Sequence, residues 1–140
     1  MGADFFLDTN IVVYAFDADA ASHKVQTARK WIRDGLVDGK GVVSTQVLQE
    51  FYVTVTRKIK TPLDLDDAEA AVEGLCRLKI MDVDVPLIQT AIRISRNDRI
   101  SFWDALICAA ARRAGCDTLI SEDMDHGQKH AGVVIRNPFR

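Results

Sequence analysis

The sequence predicts an α/β domain: a mostly parallel sheet of about five strands between two layers of helices, α/β/α. Three observations predict it. The apolar runs are short, none near the ~18–20 residues that span a bilayer. Segments with helical spacing alternate with them, as strands joined by crossover helices require. The 140 residues suit one domain, 1–140, with no internal repeat, low-complexity tract or linker.

In chain order, Asp4 to Leu7 is an apolar run ending at Asp8 and reads as a buried strand. Asp8, Thr9 or Asn10 can cap a helix that follows. From about Ala20 to Leu36, Val25, Ala28, Trp31, Ile32 and Leu36 recur at helical spacing. Gly39 and Gly41 break the pattern, and Gly41 to Ser44 is a second strand. Thr45 to Thr56 is helical again, with Val47, Leu48, Phe51, Tyr52 and Val55 apolar. A helix from Asp66 to Leu78 carries Asp66 and Asp67 in its first turn, where the helix dipole favours anions. Ile80 to Val85 alternates as a strand does. Pro86 suits the first position of a helix running to about Arg96. Ser101 starts the next helix, which stops near Gly115, and Thr118 to Ser121 and Val133 to Ile135 complete the strands. Trp31, Phe51 and Tyr52 are expected between helices and sheet.

Charge excludes some functions. The net charge is −2, from 18 Lys and Arg against 20 Asp and Glu, so bulk attraction for nucleic acid is ruled out. The three cysteines, Cys76, Cys108 and Cys116, form no CxxC pair, so a zinc site is not indicated and Cys108 reads as a small buried hydrophobe. Met1 to Phe6 has neither the basic nor the apolar region of a signal peptide. A cytoplasmic, reduced protein with no membrane association is the simplest expectation. His23, His126 and His130 have no ligand spacing and read as solvated or loop residues.

The acids carry more. Sites in open α/β sheets form outside the carboxyl ends of the strands. The first strand runs into Asp8, and the strand at 118–121 runs into Glu122, Asp123 and Asp125. Glu50 flanks the apolar stripe of the helix after the second strand, and Asp104 lies three residues after Ser101 among apolar neighbours. Each has an ordinary reading: a cap at Asp8, a capping box at Ser101 and Asp104, a solvated acid at Glu50, turn residues at Asp123 and Asp125. Four acids meeting at one sheet edge is a different matter. Crowded carboxylates need a proton or a cation. Oxygen ligands without His or Cys select Mg²⁺ or Mn²⁺. Such an ion suits phosphodiester hydrolysis, because it makes water a better nucleophile and offsets charge on the phosphate.

Phe6-Leu7-Asp8-Thr9-Asn10-Ile11-Val12-Val13-Tyr14-Ala15-Phe16-Asp17 resembles the opening of PIN-domain proteins. Ser101-Phe102-Trp103-Asp104-Ala105-Leu106-Ile107 resembles their third acidic motif. Leu119 to Met124, then Gly127 and Asn137-Pro138-Phe139, resembles their C-terminal part, most of all in VapC-type toxins of bacterial toxin–antitoxin pairs. The resemblance covers essentially the whole chain. It implies a PIN-like fold and a Mg²⁺- or Mn²⁺-dependent endoribonuclease. Asp8, Glu50, Asp104 and Asp123 would be its metal-binding and catalytic residues, supported by Thr9, Asn10 and Ser121. Asp125 would be a fifth, peripheral ligand or a loop acid. The resemblance also implies a homodimer, a cognate antitoxin partner and a structured RNA substrate.

Arg57-Lys58-Ile59-Lys60 and the group Arg93, Arg96 and Arg99 are the basic runs; a solvated face is the ordinary reading, RNA contact the other. Trp103 either positions a helix start or stacks on a base. A haloacid-dehalogenase-type site would want an acid where Asn10 stands, and a receiver domain a late Lys that Ser121-Glu122 does not supply. The remaining alternative is a catalytically inactive PIN-like module that binds protein or RNA.

Overall fold

The computed structural model describes residues 4–140. Met1 to Gly2 and Ala3, part of the segment read as lacking a signal peptide, lie outside the described residues. The strands are β1 (Phe5–Leu7), β2 (Gly41–Ser44), β3 (Lys79–Met81), β4 (Thr118–Ile120), β5 (Lys129–His130) and β6 (Val133–Arg136). The helices are α1 (Thr9–Tyr14), α2 (Ser22–Asp38), α3 (Thr45–Val53), α4 (Leu65–Leu75), α5 (Val85–Asp98) and α6 (Phe102–Arg113). None is long and apolar enough to cross a membrane.

The sheet has six strands in the order β3-β2-β1-β4-β6-β5. Five are parallel, at the five expected places, and β5 adds an antiparallel edge of two residues. This is the expected α/β/α architecture with one more strand. A two-residue strand has no period to read, so the sequence does not announce it. The chain builds β2 and β3 on one side of β1, then returns to build β4, β6 and β5 on the other. The order reverses between β1 and β4, the place where such sheets open a crevice.

Burial on both faces explains the strand sequences. Phe6, Leu7, Val42, Val43, Leu119 and Ile120 are all inaccessible or nearly so. α6 is buried along Ala105 to Ala111, where small side chains let it lie close to the sheet. Burial pushes the Cys108 thiol within it, and that of Cys116, up to about 12. Both are buried, as expected of Cys108. Gly41 opens β2, as expected. A Cβ there would come within 2.8 Å of the Gly35 backbone, so the glycine pair lets α2 rest on the strand. Gly39, with φ 68°, ends α2 in the left-handed conformation.

Several boundaries differ from expectation for local reasons. The third strand is shorter than Ile80 to Val85: the Val83 N–H turns to Thr45 Oγ1 (3.1 Å), and Asp84 caps α5 by accepting from Leu87 N–H (2.9 Å). The cap puts Pro86 at the second helical position, not the first. α3 loosens into a π-helical turn, Thr54–Lys58, where an unbroken helix was expected to Thr56. α4 stops at Leu75 rather than Leu78. Tyr52 is 39% exposed, against the expectation of packing, whereas Phe51 is fully buried. Adjacent helical residues point about 100° apart, so one of the two must leave the core. Trp31 packs edge-on against Phe5 at 5.0 Å.

Candidate active site

The expected acids converge. Asp8, Glu50, Asp104 and Asp123 line one cavity of about 660 Å³ at the carboxyl ends of β1 and β4. Asp8 follows β1 directly and is the N-cap of α1. Glu50 is on α3, which leaves the end of β2 through its Ser44 cap. Asp104 lies in the first turn of α6, and Asp123 just beyond β4. Ser101 Oγ accepts from the Asp104 N–H (3.1 Å), so the expected cap forms while the Asp104 carboxylate faces the cavity. Capping by Ser101 therefore leaves the Asp104 side chain at the cavity wall.

The expected polar residues hold the acids. Thr9 donates its N–H to Asp8 Oδ1 (2.7 Å) and its hydroxyl to Glu50 Oε1 (2.7 Å). The Ser121 hydroxyl donates to Asp8 Oδ2 (2.8 Å). Asn10 Nδ2 lies 3.2 Å from both Asp8 Oδ2 and Asp123 Oδ2, while its Oδ1 accepts from the Glu122 N–H (3.0 Å). One amide thus joins the ends of β1 and β4.

These donors do not neutralise the cluster. Burial, with Asp104 and Asp123 near, raises the Asp8 carboxyl to about 6, against the pull of Ser121 and Thr9. Burial also raises Asp104, and Asp123 and Glu50 add to the effect. Among the described residues, no three His, Cys, Asp or Glu side chains are drawn together tightly enough to hold an ion as they stand. The donor set nonetheless fits a hard divalent cation: every acid offers oxygen, and two of them are raised by burial and, less, by neighbouring acids whose charge a cation would offset.

Other residues that were not singled out as site residues from the sequence also line the cavity, among them Gln46, Tyr14 and, within a run read as a solvated face, Lys58. Lys58 ends the π-helical turn and is the one cationic side chain among those lining the cavity. No spacing rule marks it, because the turn itself was not foreseen. Asp125 is exposed and does not line the cavity; its carbonyl accepts from the Gln128 N–H (3.2 Å), as a loop residue does. Trp103 lines the cavity at 61% exposure. His130 corrects the expectation of a solvated histidine: it is buried on β5, with Nδ1 2.8 Å from Asp98 and Nε2 3.2 Å from Gln128.

No curated protein sequence matches the chain. Solved structures share its fold. A chain of the toxin–antitoxin complex from Klebsiella pneumoniae superposes with a TM-score of 0.71 at 15% identity, covering 98% of each chain. A chain of the DNA-bound VapBC of Salmonella typhimurium gives 0.69 at 19% identity, covering 98% of this chain and 99% of that one. VapC20 of Mycobacterium tuberculosis, a sarcin–ricin-loop-cleaving toxin, gives 0.63 at 23% identity, covering 87% of this chain and 92% of that one. The family model of the PIN domain matches residues 5–132. With that match spanning nearly the whole sequence, and the fold shared with VapBC proteins, the chain belongs to the PIN-domain family.

Proposed function

We propose that this protein is a Mg²⁺- or Mn²⁺-dependent endoribonuclease, the toxin of a toxin–antitoxin pair. The observation that carries the reading is the meeting of Asp8, Glu50, Asp104 and Asp123, from four separate parts of the chain, around one cavity at the reversal point of the sheet. These four are the proposed metal-binding and catalytic residues. Mg²⁺ or Mn²⁺, when bound, supplies Lewis acidity: it makes water a better nucleophile and offsets negative charge on the phosphate.

The chain's own residues supply the rest. Asp8 and Asp104, the two acids raised by burial and by their neighbours, would hold the cation with Glu50 and Asp123. Thr9 donates to one oxygen of Glu50 and the Gln46 amide to the other, which orients the carboxylate. Asn10 and Ser121 fix Asp8 relative to Asp123. A carboxylate of this set takes the proton from the attacking water. Lys58, at the rim, is placed to meet a phosphate of the substrate.

The solved relatives support the partners. Those from Klebsiella and Salmonella are toxin–antitoxin complexes, and VapC20 cleaves the sarcin–ricin loop. We extend these to this chain as a cognate antitoxin, a structured RNA substrate and a homodimer, acting in the cytoplasm. The test is sequencing of RNA ends after controlled expression, beside purified protein assayed with Mg²⁺ and with EDTA. Discrete new ends from the wild type, absent with Asp8→Asn, are expected. Identical ends from both, or cleavage indifferent to EDTA, refute the reading. Binding to RNA or protein without cleavage at any metal concentration would instead indicate the inactive PIN-like module.

A further inference from the structure

Among the described residues, one buried side-chain polar atom has no hydrogen-bond partner: Oε1 of Gln46, in the first turn of α3. The residue is 5% exposed and lies beside the acidic cavity. Its amide nitrogen faces Oε2 of Glu50 (3.4 Å) and the carbonyl oxygen of Trp103 (3.3 Å). Both neighbours only accept, which fixes the amide: turning it over would set oxygen against oxygen.

A buried acceptor without a partner destabilises a fold, and an apolar side chain of the same shape would avoid that cost. Neither neighbour depends on Gln46 to be satisfied. Glu50 already accepts from Thr9 at its other oxygen, and the Trp103 carbonyl lies within α6, where a helical N–H serves it. The packing alone gives no reason for glutamine here. The site gives one. Trp103 immediately precedes Asp104, so a single amide spans α3 beside Glu50 and α6 beside Asp104, 57 residues apart in the chain.

We propose that Gln46 is a positioning residue, which holds Glu50 in register with Asp104 so that the two carboxylates can serve one divalent cation, at a cost to stability. The inference rests on the metal-dependent reading above. It makes opposite demands on fold and site. Gln46→Met removes the orphaned acceptor and the two donations together, with little change of shape.

The experiment uses the full chain and two measurements. Thermal unfolding in EDTA reads the fold, and Mn²⁺ titration followed by electron paramagnetic resonance reads the site. In Gln46→Met the metal-free midpoint is expected unchanged or higher, while Mn²⁺ affinity falls about tenfold, the lower end of what losing a residue behind a metal ligand costs. Gln46→Leu should behave alike. A lowered midpoint makes Gln46 an ordinary core residue and overturns the proposal. An unchanged Mn²⁺ affinity overturns it alone, leaving the metal reading in place. A wild-type chain that binds no Mn²⁺ overturns the metal reading and this inference with it.

Discussion

Glu122 and Asp123 are neighbours in the chain and opposites in the structure. Glu122 turns away from the cavity into a cluster of its own, where Lys24 Nζ and the Tyr14 hydroxyl both donate to it. The Lys24 ammonium also sits 5.1 Å from the Tyr14 ring and 5.3 Å from that of Phe139. Partial burial tends to raise the Glu122 carboxyl, but its two donors hold it below the ordinary range. Asp123 turns the other way, to the cavity lined by the other acids, where its donor is the neutral Asn10 amide that it shares with Asp8. One carboxylate is answered by an ammonium in contact with it; the other is held by a neutral amide among acids. The lesson is that acidity near a sheet edge does not mark a site. What marks it is negative charge that the fold gathers and leaves uncompensated.

The largest expected effect tests that contrast on the deficient side. Asp8→Asn or Asp104→Asn should lower Mg²⁺-dependent RNA cleavage by at least about a hundredfold, since residues merely behind a ligand cost ~10–100-fold. Cleavage by either folded variant within a few-fold of wild type would break the comparison at its centre. Asp123→Asn should fall in the same direction, whereas Glu122→Gln should leave cleavage within a few-fold and lower the thermal midpoint by roughly 3 °C. The reverse pattern would exchange the roles assigned to the two neighbours.

Acid stability sharpens the contrast further. Without metal, the Asp8 carboxyl stands at about 6 in the fold against an ordinary 3.8. The native state therefore keeps a proton that the unfolded chain has lost between those values. The contribution of Asp8 to stability is full below about pH 4 and declines as pH rises through about 6, by on the order of 3 kcal/mol. Denaturant unfolding of wild type and Asp8→Asn across pH 4–7 in EDTA isolates it, because the other carboxylates largely cancel. The difference should run against the wild type as pH rises, and saturating Mg²⁺ at pH 7 should recover it. A difference that does not vary with pH would mean that Asp8 is not under strain. The smallest effect is expected at Asp125: exposed and away from the cavity, it should tolerate Asn with cleavage changed less than about twofold.

Much of this was legible from residues alone. Strands β1, β2 and β4 are short apolar runs, and a run buried on both faces needs no partner to be recognised, whereas β3, at the exposed side, reads with longer bounds than it has. The caps at Asp8 and Ser101 are local arrangements of a few residues, and a cap forms wherever the next helix starts. The acids at Asp8 and Asp123 follow from the ends of strands β1 and β4. Other features are not local. Strand β5, the burial of His130 and the exposure of Tyr52 depend on which elements pack where. So does the division between Glu122 and Asp123, set by whether Lys24 or Asn10 lies opposite.

The sequence by itself determined the α/β alternation, the family and four acids worth suspecting, since periodicity and motif are properties of short segments. Only the tertiary structure decided that the four share one cavity, that Glu122 and Asp125 do not join them, and that Gln46 stands behind Glu50. The reason is physical: charge, burial and an unmet hydrogen bond are defined by neighbours in space, and these come from as far apart as 113 residues between Asn10 and Asp123.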